Sequence, residues 1–145
     1  MTTIRQLLGE KGYAIHSVGP DDTVYNAIQK MADENIGSLL VIEDGRIAGI
    51  VTERHYARNV ALKGRTSPAT RVRDIMETNV LYALPDLSVE ECMAIMTENK
   101  VRHLPVIEHE KPIGLVSIGD LVKSIISDQK FIIDQLEHFV RGVAA

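Results

Sequence analysis

Residues 20–52 read PDDTVYNAIQKMADENIGSLLVIEDGRIAGIVT, and residues 85–117 read PDLSVEECMAIMTENKVRHLPVIEHEKPIGLVS. A shift of 65 positions aligns the two stretches without a gap, with ten identical residues among 33 positions. Three of the identities are consecutive, at residues 41–43 and 106–108. An internal repeat of this kind indicates two copies of one structural unit that share a core. A ligand site at their junction would therefore occur as a pseudo-symmetric pair.

Both copies contain the same order of local patterns. Residues 24–31 and 89–96 carry apolar side chains at i, i+3, i+4 and i+7, which predicts an amphipathic helix, and Thr23 and Ser88 stand at the expected N-caps. Short apolar runs with turn residues between them predict a hairpin after each helix. Each unit is thus β-α-β-β-α. Its predicted strands are 14–18, 39–42 and 47–52 in the first copy and 80–83, 104–107 and 112–117 in the second, and its final helices are 53–62 and 118–127.

We divide the chain into five parts. An N-terminal helix (1–12) is followed by the first repeat (13–62), a polar linker (63–78), the second repeat (79–127) and a C-terminal amphipathic helix (128–145). The fold class is α+β, in a looser sense α/β, with the two repeats packed into one module between flanking helices. The last helix has an apolar stripe that either its own domain or a second subunit must cover. The stripe consists of Ile132, Leu136, Phe139, Val140 and Val143.

Composition excludes several classes of protein. A net charge of −4 argues against non-specific nucleic-acid binding, which depends on a positive surface. The single cysteine, Cys92, excludes an internal disulfide, and its match to Ala27 in the other copy predicts a small buried apolar residue. No apolar run is long enough to span a bilayer and no signal peptide opens the chain, so we expect a soluble cytoplasmic protein.

The segment from Gly114 to Asp120 runs from a strand into a helix and carries the clearest chemical signal. The start of a helix has unpaired N–H groups that suit a phosphate, and Ser117 adds a hydroxyl donor. An ionised Asp120 only accepts hydrogen bonds, which suits the two hydroxyls of a ribose. Ser-x-x-Asp is also a capping box that merely stabilises the helix. The two roles can coexist.

The duplicated unit resembles the cystathionine-β-synthase (CBS) domain pair, also called a Bateman module, and most closely its small stand-alone bacterial members. The resemblance covers residues 13–127 and rests on Gly49-Ile50-Val51-Thr52-Glu53-Arg54 with Tyr56-Ala57, on Arg102-His103-Leu104-Pro105-Val106, and on Gly114-Leu115-Val116-Ser117-Ile118-Gly119-Asp120-Leu121. It implies a regulatory protein that binds AMP, ADP, ATP or, as in some members, NAD(H) or S-adenosylmethionine. It also implies a disc-like homodimer acting on a separate effector protein.

The resemblance further implies two clefts, each built from both repeats. Cleft B would combine the Ser-x-x-Asp motif of the second repeat with the first and middle strands of the first. Cleft A would be its counterpart. The expected residues of cleft B are Ile15, His16, Ser17, Val18, Ile36, Gly37, Ser38, Ser117, Gly119 and Asp120, and those of cleft A are Thr52, Arg54, His55, Val80, Leu81, Tyr82, Val101, Arg102 and His103.

The sequence departs from the family pattern in cleft A, where His55 replaces the ribose-binding aspartate. A neutral imidazole has one acceptor nitrogen and cannot take both ribose hydroxyls. Protonated, His55 could donate to a phosphate instead, beside Arg54 and Arg102. We therefore expect cleft B to bind a ribose conventionally, and cleft A to be weaker, different or empty. A dinucleotide or triphosphate could use its additional cationic groups.

Other functions remain as competing hypotheses. The five histidines have no metal-binding spacing, and the sequence contains no nucleotide-binding glycine loop and no nucleophile elbow, so we expect neither a metal site nor catalysis. A structural dimerisation module with degenerate clefts is the main alternative, favoured by His55 and the apolar tail. A small hydrolase or redox enzyme acting on a bound nucleotide is the third.

Overall fold

The computed structural model describes residues 1–141, so Val143 of the predicted stripe lies outside the described residues. Helices and strands alternate in the order that the repeat predicts. The helices are α1 (Ile4–Lys11), α2 (Val24–Glu34), α3 (Glu53–Tyr56), α4 (Val89–Asn99) and α5 (Ile118–Val140), and the strands are β1 (Ser17–Val18), β2 (Ser38–Glu43), β3 (Arg46–Thr52), β4 (His103–Glu108) and β5 (Lys111–Ser117). A π-helical turn (Ala57–Ala61) continues α3, and 3-10 turns cover Ser67–Ala69 and Val72–Asp74.

The two sheets confirm the predicted repeat down to the register of single pairs. In the first sheet β1 runs parallel to β2, which pairs antiparallel with β3; in the second, β4 pairs antiparallel with β5. Ser38 faces Thr52 and His103 faces Ser117, and both hairpins contain a bulge at the same place. The predicted strand at 80–83 is reduced to one bridge, between Ala83 and Val106. That bridge is nevertheless the counterpart of the pairing that β1 makes with β2.

The helices begin where their capping residues predict. The Thr23 hydroxyl accepts the Asn26 N–H at the start of α2, and the Ser88 hydroxyl accepts the Glu91 N–H at the start of α4. Such a cap satisfies one of the backbone donors that a helix start leaves unpaired. The second hairpin turns through His109 with φ of 52°, a left-handed conformation that its counterpart Asp44 also adopts.

Each repeat has a hydrophobic core of its own, and each core is completed by the segment that precedes the other repeat. Helix α1, which precedes the first repeat, buries Ile4, Leu7 and Leu8 in the core of the second. Residues 72–76, which precede the second repeat, pack on the first. This exchange links the repeats, because each core is completed only by the segment that precedes the other repeat.

Two equivalent glycines allow this exchange. A Cβ on Gly114 would lie 2.7 Å from Leu8 Cδ2, and a Cβ on Gly49 would lie 2.7 Å from the Glu77 carbonyl oxygen and 3.0 Å from Met76 Sδ. Both distances are shorter than van der Waals contact. Glycine therefore stands at the equivalent position of both repeats because a crossing segment contacts each sheet there.

Helix α5 runs unbroken from Ile118 to Val140, so the structure joins two helices that we expected to be separate. No proline or glycine interrupts residues 120–141, which explains the continuity. The apolar stripe on its second half is exposed and does not pack on its own domain, with Ile132 56%, Leu136 58% and Phe139 83% exposed. None of the helices within residues 1–141 contains an apolar stretch of the length that crossing a bilayer requires.

Candidate functional site

Two cavities open along the junction of the repeats. Cleft A has a volume of about 460 Å³ and cleft B one of about 500 Å³. Both volumes fall within the roughly 300–1,000 Å³ typical of small-molecule sites. The helix starts that follow β3 and β5 each contribute to one cleft, and the opposite repeat supplies the facing wall. The expected pairing of elements is therefore present in the structure.

Cleft B is organised around the first turn of α5. The Ser117 hydroxyl accepts the Asp120 N–H at 3.1 Å, and Asp120 Oδ2 accepts the Ser117 N–H at 2.8 Å, which completes a capping box. Lys11 Nζ donates to the same Oδ2 at 2.6 Å and to the Leu115 carbonyl at 2.5 Å. Burial acts to raise the pKa of Asp120, but the hydrogen bonds from Lys11 and Ser117 outweigh it and hold the pKa below its usual value. Asp120 is therefore an anionic acceptor at neutral pH.

Most residues expected in cleft B line the cavity. His16, Ile36, Gly37 and Ser38 face Ser117 and Asp120 across it. Ile15, Ser17, Val18 and Gly119 lie outside the lining: the Ser17 carbonyl accepts a hydrogen bond from Lys30, and Val18 is buried in the core of the first repeat. The cavity also includes six residues that sequence reasoning missed, namely Lys11, Gly12, Ala14, Asn35, His103 and Leu115.

Cleft A repeats the capping geometry with an imidazole in place of the carboxylate. The Thr52 hydroxyl accepts the His55 N–H at 3.2 Å, and His55 Nδ1 accepts the Thr52 N–H at 3.1 Å. Because Nδ1 accepts, the neutral ring carries its proton on Nε2. Burial lowers the pKa of His55, Arg54 and Arg58 lower it further, and Glu77 opposes them. The ring is thus neutral at pH 7 and offers a ligand one N–H donor rather than the positive charge that we considered.

Arginines dominate the rest of cleft A. Arg54, Arg58 and Arg102 line the cavity, and within residues 1–141 none of the three forms an ion pair. Two carboxylates, Glu53 and Glu77, also line it. Sequence reasoning missed Arg58, although its place four residues after Arg54 puts both on one helix face. Three guanidinium groups without carboxylate partners can bind phosphate oxygens.

The remaining residues expected in cleft A divide in the same way. Thr52, Val80, Leu81, Val101 and His103 line the cavity with the residues already named. Tyr82 does not line it, and this residue is 54% exposed. The cavity also contains Gly37, Ile50 and Asn79, none of which we expected there.

Gly37 and His103 line both cavities, so the two clefts share a wall. Gly37 lies directly before β2 and His103 is the first residue of β4, where the repeats meet. Burial lowers the pKa of His103, and Lys11 and two arginines add to the effect, while Asp120 opposes it. A neutral His103 can donate to a ligand in one cleft and accept in the other.

Within residues 1–141 no group of three or more His, Cys, Asp and Glu side chains is arranged to hold a metal ion. Cys92 is buried, as its match to Ala27 predicts, and burial raises the pKa of its thiol to about 11. The thiol is therefore protonated and packs as an apolar side chain.

Comparison with known proteins agrees with this architecture. A family model for the CBS domain matches residues 13–61 and 72–127. The mitochondrial CBS domain-containing protein CBSX3 of Arabidopsis thaliana is 37% identical over 97% of this chain and 73% of its own length. A solved structure from Burkholderia ambifaria, of a candidate signal-transduction protein with CBS domains, is 54% identical over 88% of this chain and 96% of its own, with a TM-score of 0.85.

A more distant structure shares the fold alone. It is the CBS domain pair of the protein MJ0100, solved in complex with 5′-methylthioadenosine and S-adenosyl-L-methionine. It is 20% identical, covers 88% of this chain and 98% of its own, and has a TM-score of 0.77.

Proposed function

The chain belongs to the CBS domain family, and from this premise we propose that it is a regulatory module that binds adenine nucleotides in the clefts between its repeats. The observation that carries the proposal is the pair of cavities at the junction, each with a hydroxyl residue at a helix start and a polar residue three positions later. A bound nucleotide would favour one arrangement of the repeats over another. A separate cytoplasmic effector protein would respond to that arrangement.

Cleft B suits a nucleoside with a ribose. Asp120 is an anionic acceptor at the rim of the cavity, and only its Oδ2 has hydrogen-bond donors within residues 1–141. Gly37 faces it without a side chain, and a Cβ there would come no closer than 3.9 Å to Glu53. A sugar or base can therefore approach the backbone closely. The Ser117 hydroxyl can donate to a phosphate, whereas the Ile118 and Asp120 N–H groups already donate to the Arg102 carbonyl and the Ser117 hydroxyl.

Cleft A suits a ligand that is recognised by its phosphates. It lacks a carboxylate at position 55 but has three arginines without ion pairs within residues 1–141. ATP, ADP or a dinucleotide such as NAD(H) would satisfy more of these arginines than AMP. We therefore propose that the two clefts differ in ligand, with ribose recognition in cleft B and phosphate recognition in cleft A.

Isothermal titration with AMP, ADP, ATP, NADH and S-adenosylmethionine tests the proposal. At least one of them should bind, and the Asp120→Asn variant should weaken binding in cleft B about tenfold or more, since a hydrogen bond to a charged group is worth about 1.5–3 kcal/mol. Asparagine keeps an oxygen that can accept the Ser117 N–H, so the cap of α5 survives. The matched control is Asp128→Asn on the same helix. No binding of any of these ligands at millimolar concentration would refute the proposal.

A structural dimerisation module is the second candidate, and the Lys11–Asp120 ion pair favours it. That pair occupies one oxygen of the carboxylate that a ribose would need, and it joins α1 to α5 at cleft B. The titration separates the candidates, because this one requires wild-type and Asp120→Asn proteins that bind none of the nucleotides while still forming dimers.

A homodimer formed through α5 is part of our proposal. Exposure of the apolar stripe on its second half to water is unfavourable in free energy. Within residues 1–141 nothing covers this stripe. Its described residues are Ile132, Leu136, Phe139 and Val140, and the exposed Ile133 lies beside them. Removal of residues 129–145 or the single change Leu136→Glu should convert a dimer to a monomer in sedimentation experiments. Gln135→Glu on the same helix is the control, and a dimer that survives both stripe changes would place the subunit contact elsewhere.

A further inference from the structure

Lys11 occupies a position in cleft B that the repeat pattern does not explain. It is the last residue of α1, and its ammonium group reaches across the cavity to the start of α5. Asn79 lies at the comparable place in cleft A: it follows Met76 by three residues, as Lys11 follows Leu8, and Met76 and Leu8 contact equivalent glycines. The cation at this place is thus specific to cleft B.

The backbone of α1 holds Lys11 at the rim of the cleft. The N–H groups of Ile4 and Arg5 donate to carbonyls of residues 87 and 85, and Leu8 is fully buried against β5. Gly12 then ends the helix with φ of 107°, and its N–H donates to the Leu8 carbonyl at 2.7 Å. The side chain of Lys11 can move, but its Cα cannot leave the cavity without disrupting the core of the second repeat.

Lys11 and Ser117 together occupy one carboxylate oxygen of Asp120. Oδ2 accepts both the Ser117 N–H and the Lys11 ammonium, which fills its two lone pairs. Two ribose hydroxyls would have only Oδ1 left, so a ribose that binds both oxygens must displace the ammonium. The ion pair is partly exposed, with the Lys11 and Asp120 side chains 38% and 25% accessible, so its exchange for another partner is inexpensive.

We propose that Lys11 is a specificity-determining residue of cleft B, which selects phosphorylated nucleosides over unphosphorylated ones. The inference rests on the proposed function and names its ligand class. When a ribose binds both oxygens of Asp120, the displaced ammonium loses its counter-charge. A nucleotide replaces that counter-charge with its phosphate, whereas adenosine leaves the ammonium unpaired in the cleft. A cationic nucleoside such as S-adenosylmethionine adds repulsion.

The test compares AMP with adenosine in isothermal titrations of the wild-type protein and of Lys11→Met. Methionine keeps most of the length and apolar stem of lysine and removes the charge. Wild-type protein should bind AMP at least about tenfold more tightly than adenosine, which is the size of one charge-assisted contact. In Lys11→Met the ratio should fall about tenfold, because AMP binds more weakly while adenosine binds equally well or better. Lys11→Arg should preserve the ratio, and Lys123→Met on α5 is the control for net charge.

The outcomes separate this inference from the proposed function. A wild-type protein that binds neither compound refutes both. Binding that Asp120→Asn leaves unchanged lies outside cleft B and overturns the role of Lys11. If Lys11→Met weakens AMP and adenosine equally, Lys11 merely supports the fold, and if it changes neither, Lys11 is not a ligand contact. Retained or improved adenosine binding by Lys11→Met is a result that a misfolded variant could not give.

Discussion

Replacement of His55 by aspartate should give cleft A the ribose site that it lacks. In the structure His55 Nδ1 accepts the Thr52 N–H as Asp120 Oδ2 accepts the Ser117 N–H. An aspartate can therefore keep the capping bond with one oxygen and present the other to the cavity. A carboxylate at this third helical position also interacts favourably with the helix start. The fold should tolerate the change.

The size of the gain follows from the contacts added. Each hydrogen bond from a ribose hydroxyl to a carboxylate contributes about 1.5–3 kcal/mol, and part of this is lost in removing the carboxylate from water. Nearby Arg54 and Arg58 favour the anion. A net gain of about 1.5–3 kcal/mol corresponds to an AMP affinity in cleft A about 10- to 150-fold higher.

Isothermal titration measures this gain directly. With AMP as ligand, His55→Asp should show a second site or a clear strengthening of a weak one, and 3′-deoxy-AMP should show less of the effect. His55→Asn keeps an acceptor for the cap but adds no charged oxygen, so it should not gain the site. His109→Asp makes the same change of charge in a turn where aspartate tolerates the left-handed backbone. If His55→Asp titrates like His109→Asp, the ribose argument for position 55 is refuted.

Three further predictions concern stability and reactivity. Gly49→Ala should lower the free energy of unfolding by about 1–3 kcal/mol in denaturant titrations. The loss should exceed that of Gly114→Ala, because the new methyl group at position 49 meets the rigid Glu77 carbonyl rather than the end of a leucine side chain. An equal loss in the two variants would contradict this reasoning. Burial lowers the pKa of His55 below its ordinary 6.5, so the unfolded chain binds more protons than the folded one as the pH falls. The free energy of unfolding should therefore be full above about pH 6.5 and fall as the pH drops through the folded-state pKa. This fall should be smaller in His55→Asn. Cys92, with a thiol pKa of about 11, should react with a thiol reagent only on unfolding, and rapid labelling of the native protein would show that it is accessible.

Much of the architecture was predictable because it depends on local sequence patterns that occur twice. The helix spacing in residues 24–31 and 89–96, the caps Thr23 and Ser88 and the hairpins all match the structure. The Ser117–Asp120 capping box was predictable for the same reason, since its partners lie three residues apart. A repeat also fixes which elements are equivalent, and so it predicts paired cavities without showing their contents.

The contacts that distinguish the clefts were not predictable, because they join distant segments. Lys11 meets Asp120 across 109 positions, and a lysine in the last turn of a helix is common for purely local reasons. Burial of α1 in the second core depends on the exchange of segments between repeats, and the apolar periodicity of α1 does not indicate which core it joins. The extent of α5 was missed because the polar run at residues 127–130 interrupts the apolar pattern, close to where the helix leaves its core and continues into water.

The duplication supplies symmetric geometry, and substitutions at equivalent positions make the chemistry asymmetric. Asp120 corresponds to His55, and Gly37 to Arg102, so cleft B combines an acceptor with open backbone while cleft A combines a donor with a guanidinium. His103 corresponds to Ser38 but is long enough to line both cavities. A ligand in either cleft therefore contacts a wall of the other. Two ligand sites with a common wall can couple through the orientation of one imidazole, because a ligand that turns the ring in one cleft changes the group that the other cleft presents.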